Sequence, residues 1–105
     1  VMLKPSMNLS TFEAKAGQVA NMLKAIANPR RLMLLCKLVD HGEVTVGDLA
    51  RDIGLSQSAC SQHLAKMRDE GLVVYRRESQ MLWYAIADTR VATLLSTLCH
   101  LYCKD

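Results

Sequence analysis

Four thiols and three imidazoles hold most of the reactive potential of this chain: Cys36, Cys60, Cys99 and Cys103, with His41, His63 and His100. Thiolates attack disulfides and sulfane sulfur and bind soft metal ions, so the cysteine spacing decides which chemistry is open. There is no Cys-x-x-Cys in a strand-helix-strand setting and no glycine loop able to cradle phosphate, which argues against a small thiol enzyme or a nucleotide-dependent one. Cys99 and Cys103 stand one helical turn apart, so Cys99 is either a packing residue or an alternative resolving thiol. Cys36 falls on an apolar helical face, where a thiol is an inert small hydrophobe or a sensor. Cys60 reads as core packing and His41 and His100 as surface residues. His63 has no second ligand at metal-motif spacing and is expected to brace its helix or touch phosphate.

The second constellation is Leu49 to Met67, a short helix, a turn at Gly54 and a further helix opened by Ser56. This is the pattern of a helix-turn-helix, whose second helix offers exposed polar side chains to base edges in a major groove. Gln57, Ser58, Ser61 and Gln62 are the candidate base readers, with His63 and Lys66 beside them. Cys60, Leu64 and Met67, at i, i+4 and i+7, form the opposite, buried stripe.

Five helices and a hairpin must position these groups. Ser10 and Glu13 form a capping-box signature that predicts a first helix from about Thr11 to Ala27, with Ala16, Val19, Ala20, Leu23 and Ile26 as its apolar stripe. Asn28-Pro29 breaks the chain and opens a second helix with Leu32, Leu35, Cys36 and Val39 inward, ended by Gly42. A third helix is expected over roughly Val46 to Asp52, and a fourth from Ser56 to the terminator Gly71. The β-prone runs Leu72 to Arg77 and Met81 to Ile86 predict a hairpin, with Arg76 and Arg77 near its tip where arginine can enter a minor groove or grip phosphate. Asp88 caps a fifth, unusually apolar helix, Thr89 to Cys103. Met33, Met67 and Met81 read as core filler.

The expected fold is therefore mainly α with a small β-hairpin wing, a winged helix-turn-helix. Residues 1–9 are expected to be a flexible arm and residues 10–105 one DNA-binding and dimerisation domain. With 105 residues, 50% hydrophobic and 22% charged, the chain has material for one core but hardly two. The net charge of +3 is compatible with phosphate binding without proving it. No run approaches the ~18 apolar residues of a membrane span and no export signal is evident, so a cytoplasmic protein with reduced thiols is expected. The first and fifth helices carry more apolar surface than so small a core can cover. A homodimer through both would bury them and set two reading helices ~34 Å apart on an inverted-repeat operator.

In this order of elements the chain resembles the arsenic-repressor (ArsR/SmtB) family of winged-helix repressors. The resemblance is carried by Leu23 to Leu32, by Leu55 to Leu64 and by Arg68 to Val73 leading into the wing. Family members release operator DNA when an inducer binds, many using metal ions. A Cys-x-Cys ligand pair that the family places near the third helix is replaced here by Val44-Thr45-Val46, and its Asp-x-His on the last helix by Asp88 and Arg90, a permanent cation. Arg31 to Cys36 and Leu101 to Cys103 instead resemble the thiol-sensing branch. There the resemblance implies that Cys36 and Cys103 join through a disulfide or polysulfide bridge when reactive sulfur species or oxidants accumulate, and that DNA is then released. On this reading no cofactor is needed, and Lys37 and Lys104 would lower the thiol pKa values. Two rivals remain: a repressor binding arsenite, cadmium or zinc through Cys36, Cys99 and Cys103, and a winged helix that binds only proteins.

Overall fold

A computed structural model of the chain describes residues 7–103. Its elements run α1 (Leu9–Ile26), α2 (Pro29–His41), β1 (Val44–Thr45), α3 (Val46–Ile53), α4 (Gln57–Asp69), β2 (Val73–Glu78), β3 (Met81–Ile86) and α5 (Thr89–Tyr102). The three strands form one antiparallel sheet in the order β1-β3-β2. The winged helix-turn-helix is thus present, with one strand more than the hairpin alone.

Local chemistry accounts for most helix boundaries. The Asn28 carboxamide accepts the backbone N–H groups of Arg30 and Arg31 at 2.9 and 3.2 Å, and Pro29 follows where a missing N–H is harmless. Thr45 caps α3, and the Ser56 hydroxyl caps α4 by accepting from Ala59 N at 3.1 Å. Gly54, between the two helices of the reading unit, takes φ 79°, a left-handed value that L side chains resist. The start of α1 differs from expectation. Asn8, not Ser10, is its cap, accepting from Thr11 N at 3.0 Å, so Asn8 and Leu9 belong to the helix rather than to an arm. Residues 1–6 of that expected arm lie outside the described residues.

One core holds the domain together. Leu34, Leu35 and Leu38 of α2, Leu49 of α3, Cys60, Leu64 and Met67 of α4, Val73 of β2 and Val91 and Leu95 of α5 are all fully buried. Of the stripe expected to be buried on α2, Leu35 is, whereas Leu32, Cys36 and Val39 flank the core half-buried, because Leu34 and Leu38 also point to its centre. Met67 fills the core as expected. Met33 and Met81 do not; both are half exposed. On α1 only Ala25 and Ile26 are buried, so most of its apolar stripe, Ala16, Ala20 and Leu23 included, faces solvent.

Strand β1 is two residues long and pairs Val44 with Tyr84 and Thr45 with Trp83. It fastens the start of α3 to the wing. The hairpin register places Arg76 opposite Trp83 and Arg77 opposite Leu82, with Ser79 at φ 56° in the turn. Arg76 reaches back to Glu43, its Nε and Nη2 donating to the two carboxylate oxygens at 2.9 and 3.0 Å, while its guanidinium lies 5.5 Å from the Trp83 ring centre.

The reading helix is tied to α2 by a second arginine. Arg31 donates from Nη1 to Ala25 O at 3.0 Å and from Nε to His63 Nδ1 of α4 at 3.4 Å, and Nη1 lies 3.9 Å from Glu70. An accepting Nδ1 demands a neutral imidazole protonated on Nε2. Partial burial, then the charges of Arg31 and Arg30, push the His63 pKa below its ordinary 6.5. The unfolded chain therefore binds this proton more readily than the folded one. The contact contributes in full above about pH 6.5 and is lost as pH falls toward the depressed folded value. Between about pH 7 and pH 5, urea denaturation is expected to show a larger loss of stability in the wild type than in His63→Gln, which keeps an acceptor that does not titrate. Parallel profiles for the two proteins would remove His63 as the titrating group.

Candidate nucleic-acid interface and thiol cleft

Capping by Ser56 and burial of Cys60, Leu64 and Met67 turn the other face of α4 outward. Gln57, Ser58, Ser61, Gln62 and Lys66 are all exposed on it. His63, grouped with them from sequence, is half-buried and held by Arg31, so it braces the helix from behind. The expected wing arginines part company. Arg76 is engaged by Glu43 and Glu78, whereas exposed Arg77 has no hydrogen-bond or ion-pair partner among the described residues. Arg68, exposed at the end of α4 and 5.1 Å from the Tyr75 ring centre, adds a cation between reading helix and wing that the sequence reading passed over.

The thiols lie on another side of α2. Met33, Cys36 and Lys37 face Leu95, Cys99 and His100 of α5 across an open cleft of about 550 Å³. Cys36 is half-buried at its wall, Cys99 and Cys103 are exposed, and Cys60 is sealed in the core. The Cys99 thiol donates to the Cys103 sulfur at 3.4 Å. Cys99 is thus not packed within its own chain, and it lines the same cleft as Cys36, a juxtaposition that sequence order could not convey.

The electrostatics correct one expectation. Burial pushes the Cys36 thiol above its ordinary value, and the neighbouring Cys99 adds to the rise. Lys37 does not lower it; its ammonium lies 4.0 Å from Asp52 instead. Lys104 lies outside the described residues. For Cys99, the hydrogen bond to Cys103 is the main reason its pKa also stands high. Both thiols are therefore less ionised near neutrality than ordinary ones.

Sites for a metal ion fit poorly. Asp88 caps α5 and is gripped by the Arg90 guanidinium at 2.7 to 3.2 Å, which holds its carboxyl below the usual range. Val44, Thr45 and Val46 are buried in β1 and at the start of α3 and offer no thiol. Among the described residues no three histidine, cysteine or acidic side chains converge on one point, so Cys36, Cys99 and Cys103 do not form a ready thiolate cage. No helix among the described residues is long and apolar enough to cross a membrane.

Comparison with known proteins agrees with this geometry. The family described as "Bacterial regulatory protein, arsR family" matches residues 28–75, from the cap of α2 into the wing. The transcriptional activator HlyU of Vibrio cholerae is 45% identical over 98 residues, covering 93% of this chain and 90% of that protein. The solved structure titled "Reduced HlyU" from the same species superposes with a TM-score of 0.83 at 44% identity over 90% of this chain and 98% of that one. The transcriptional repressor BigR of Xylella fastidiosa gives a TM-score of 0.86 at 37% identity over 94% and 100%. HlyU and BigR are both transcriptional regulators rather than enzymes. Helix-turn-helix, wing and end-to-end similarity together place the chain in the ArsR family of DNA-binding transcriptional regulators.

Proposed function

We propose that this chain acts as a homodimeric repressor that occupies an inverted-repeat operator while its thiols are reduced and leaves it when Cys36 becomes covalently linked to α5, with Cys103 as the resolving thiol. Persulfides, polysulfides or peroxide are the inducers. The observation that carries this reading is the position of α2, which bears Cys36 on the cleft shared with α5 and, through Arg31, bonds the reading helix α4. A covalent tie between α2 and α5 changes the seat on which α4 rests. The relative titled "Reduced HlyU" supports a redox reading by its name.

Dimerisation is supported by apolar surface left over. Leu9, Phe12 and Leu23 on α1 and Leu98, Leu101 and Tyr102 on α5 are exposed, Tyr102 at 83%. Two helices with unpaired apolar faces in one chain are best covered by the same two helices of a second copy across a two-fold axis. In DNA contact, Gln57, Ser58, Ser61 and Gln62 read bases, Lys66 and Arg77 hold phosphate or the minor groove, and His63 and Arg76 act as braces.

Fluorescence anisotropy on a labelled promoter fragment tests this directly. Inorganic polysulfide is expected to weaken binding by the wild type and by Cys60→Ala and to leave Cys36→Ser bound, with dithiothreitol reversing the loss; release of Cys36→Ser to the same extent would reject the thiol switch. Gln62→Ala is expected to cost about 1 to 3 kcal/mol at its cognate position, while Arg77→Ala weakens binding on all sequences and reduces the salt slope by about one phosphate. Equal losses on cognate and random DNA for both would remove the division of labour. Because burial holds the Cys36 thiol above its ordinary value, the midpoint of its pH–rate profile for alkylation by iodoacetamide is expected to lie above that of a free cysteine in a short peptide. A plateau near neutral pH would show an activated thiolate instead.

A further inference from the structure

Sulfurs are arranged here as a chain of three rather than as a pair. Cys36 and Cys99 share the walls of one cleft, and Cys99 touches Cys103 at 3.4 Å. Cys103 does not line that cleft. Cys99 stands inside α5, held by the helix, whereas Cys103 is the C-cap, its backbone at φ −109° and ψ 9° and no longer helical. The middle sulfur is thus the one fixed in position, and the outer one sits where the chain leaves the helix.

We propose that Cys99 is a third redox thiol, the first to bond Cys36, and that it passes the cross-link on to Cys103. The proposal rests on the thiol-switch reading above. A persulfide donor RS–SH first gives its outer sulfur to the Cys36 thiolate, forming Cys36–S–SH and releasing RS⁻. The Cys99 thiolate then attacks the Cys36 sulfur. A Cys36–Cys99 disulfide forms and HS⁻ leaves, so the two thiols lose two electrons and the transferred sulfur is reduced to sulfide. Finally the Cys103 thiolate attacks the same Cys36 sulfur and expels Cys99 as a thiolate, with no net change of oxidation state. Capture of Cys36 by Cys99, which shares its cleft, is therefore faster than a direct meeting with Cys103, which does not line it. The last step needs the C-cap to carry Cys103 past Cys99 to the Cys36 sulfur; attack on the Cys99 sulfur instead would free Cys36 and leave a Cys99–Cys103 disulfide, a product that overturns the relay.

A quenched-flow experiment on the full chain tests the order. Reduced protein is mixed with inorganic polysulfide, quenched with N-ethylmaleimide at increasing times, and digested with trypsin without reductant. Cleavage after Arg31, Lys37, Arg90 and Lys104 leaves Cys36 on one peptide and both Cys99 and Cys103 on another. Fragmentation of the cross-linked pair then shows which of the latter two carries maleimide. In the wild type the Cys36–Cys99 link is expected to appear first and to decay as Cys36–Cys103 grows. Cys103→Ser is expected to trap Cys36–Cys99, and Cys99→Ser to form Cys36–Cys103 about tenfold more slowly than the wild type. Circular dichroism establishes that both variants are folded. Formation of Cys36–Cys103 at the wild-type rate in Cys99→Ser, with no link to Cys99 at any time in the wild type, overturns the relay and leaves the switch standing. Absence of any link to Cys36 in the wild type overturns both.

Discussion

Burial of one face of α2 is the constraint from which the rest follows. Leu34, Leu35 and Leu38 are almost completely shielded, and a helix with three such side chains on one side has no freedom to rotate about its axis. Its remaining faces are therefore committed. Arg31 is delivered to the back of α4, Cys36 to the cleft against α5, and the far end runs through Gly42 to Glu43, which holds the wing. Cys36, the reading helix and the wing all take their bearings from a single rod of thirteen residues. Any disturbance of its packing reaches all three.

The reactive sulfurs are sorted by environment rather than by identity. Cys60 is as much a thiol as Cys36, yet it is enclosed by the core and its pKa is pushed up by that burial alone. Cys36 keeps one side open to the cleft, and Cys99 and Cys103 are exposed. Burial raises the pKa of Cys36 and the hydrogen bond to Cys103 raises that of Cys99, so both are less ionised near neutrality than ordinary thiols, and no activating base stands beside either among the described residues.

Much of this architecture was legible in the residues because its signals are local. Asn28-Pro29, Ser56, Gly54, Gly71 and Asp88 mark boundaries through bonds or backbone angles that span a few positions, and α4 shows its buried stripe by period alone. What was missed depends on partners distant in the chain. Strand β1 has two residues and exists only because β3 lies beside it. Arg76 looks like a free wing cation until Glu43, 33 positions away, closes on it, and the bracing of α4 expected of His63 has no visible partner until Arg31, 32 positions away, takes its ring nitrogen. Asn8 falls in the expected arm because the Ser10–Glu13 capping-box pattern sets the helix start too late, although either residue type can cap. Cys99 was read mainly as packing because a periodic apolar helix gives no sign of which turns lack a neighbour.

The Glu43–Arg76 clasp has a mechanical corollary. Wings of this kind are pictured as flexible fingers, but here the forked ion pair, backed by the Trp83 ring, pins the hairpin to the loop that leaves α2. A shift of α2 would therefore carry the hairpin with it. On the proposed switch, strain set up near Cys36 would reach both arms, and major-groove and backbone contacts would be surrendered in concert rather than one after the other.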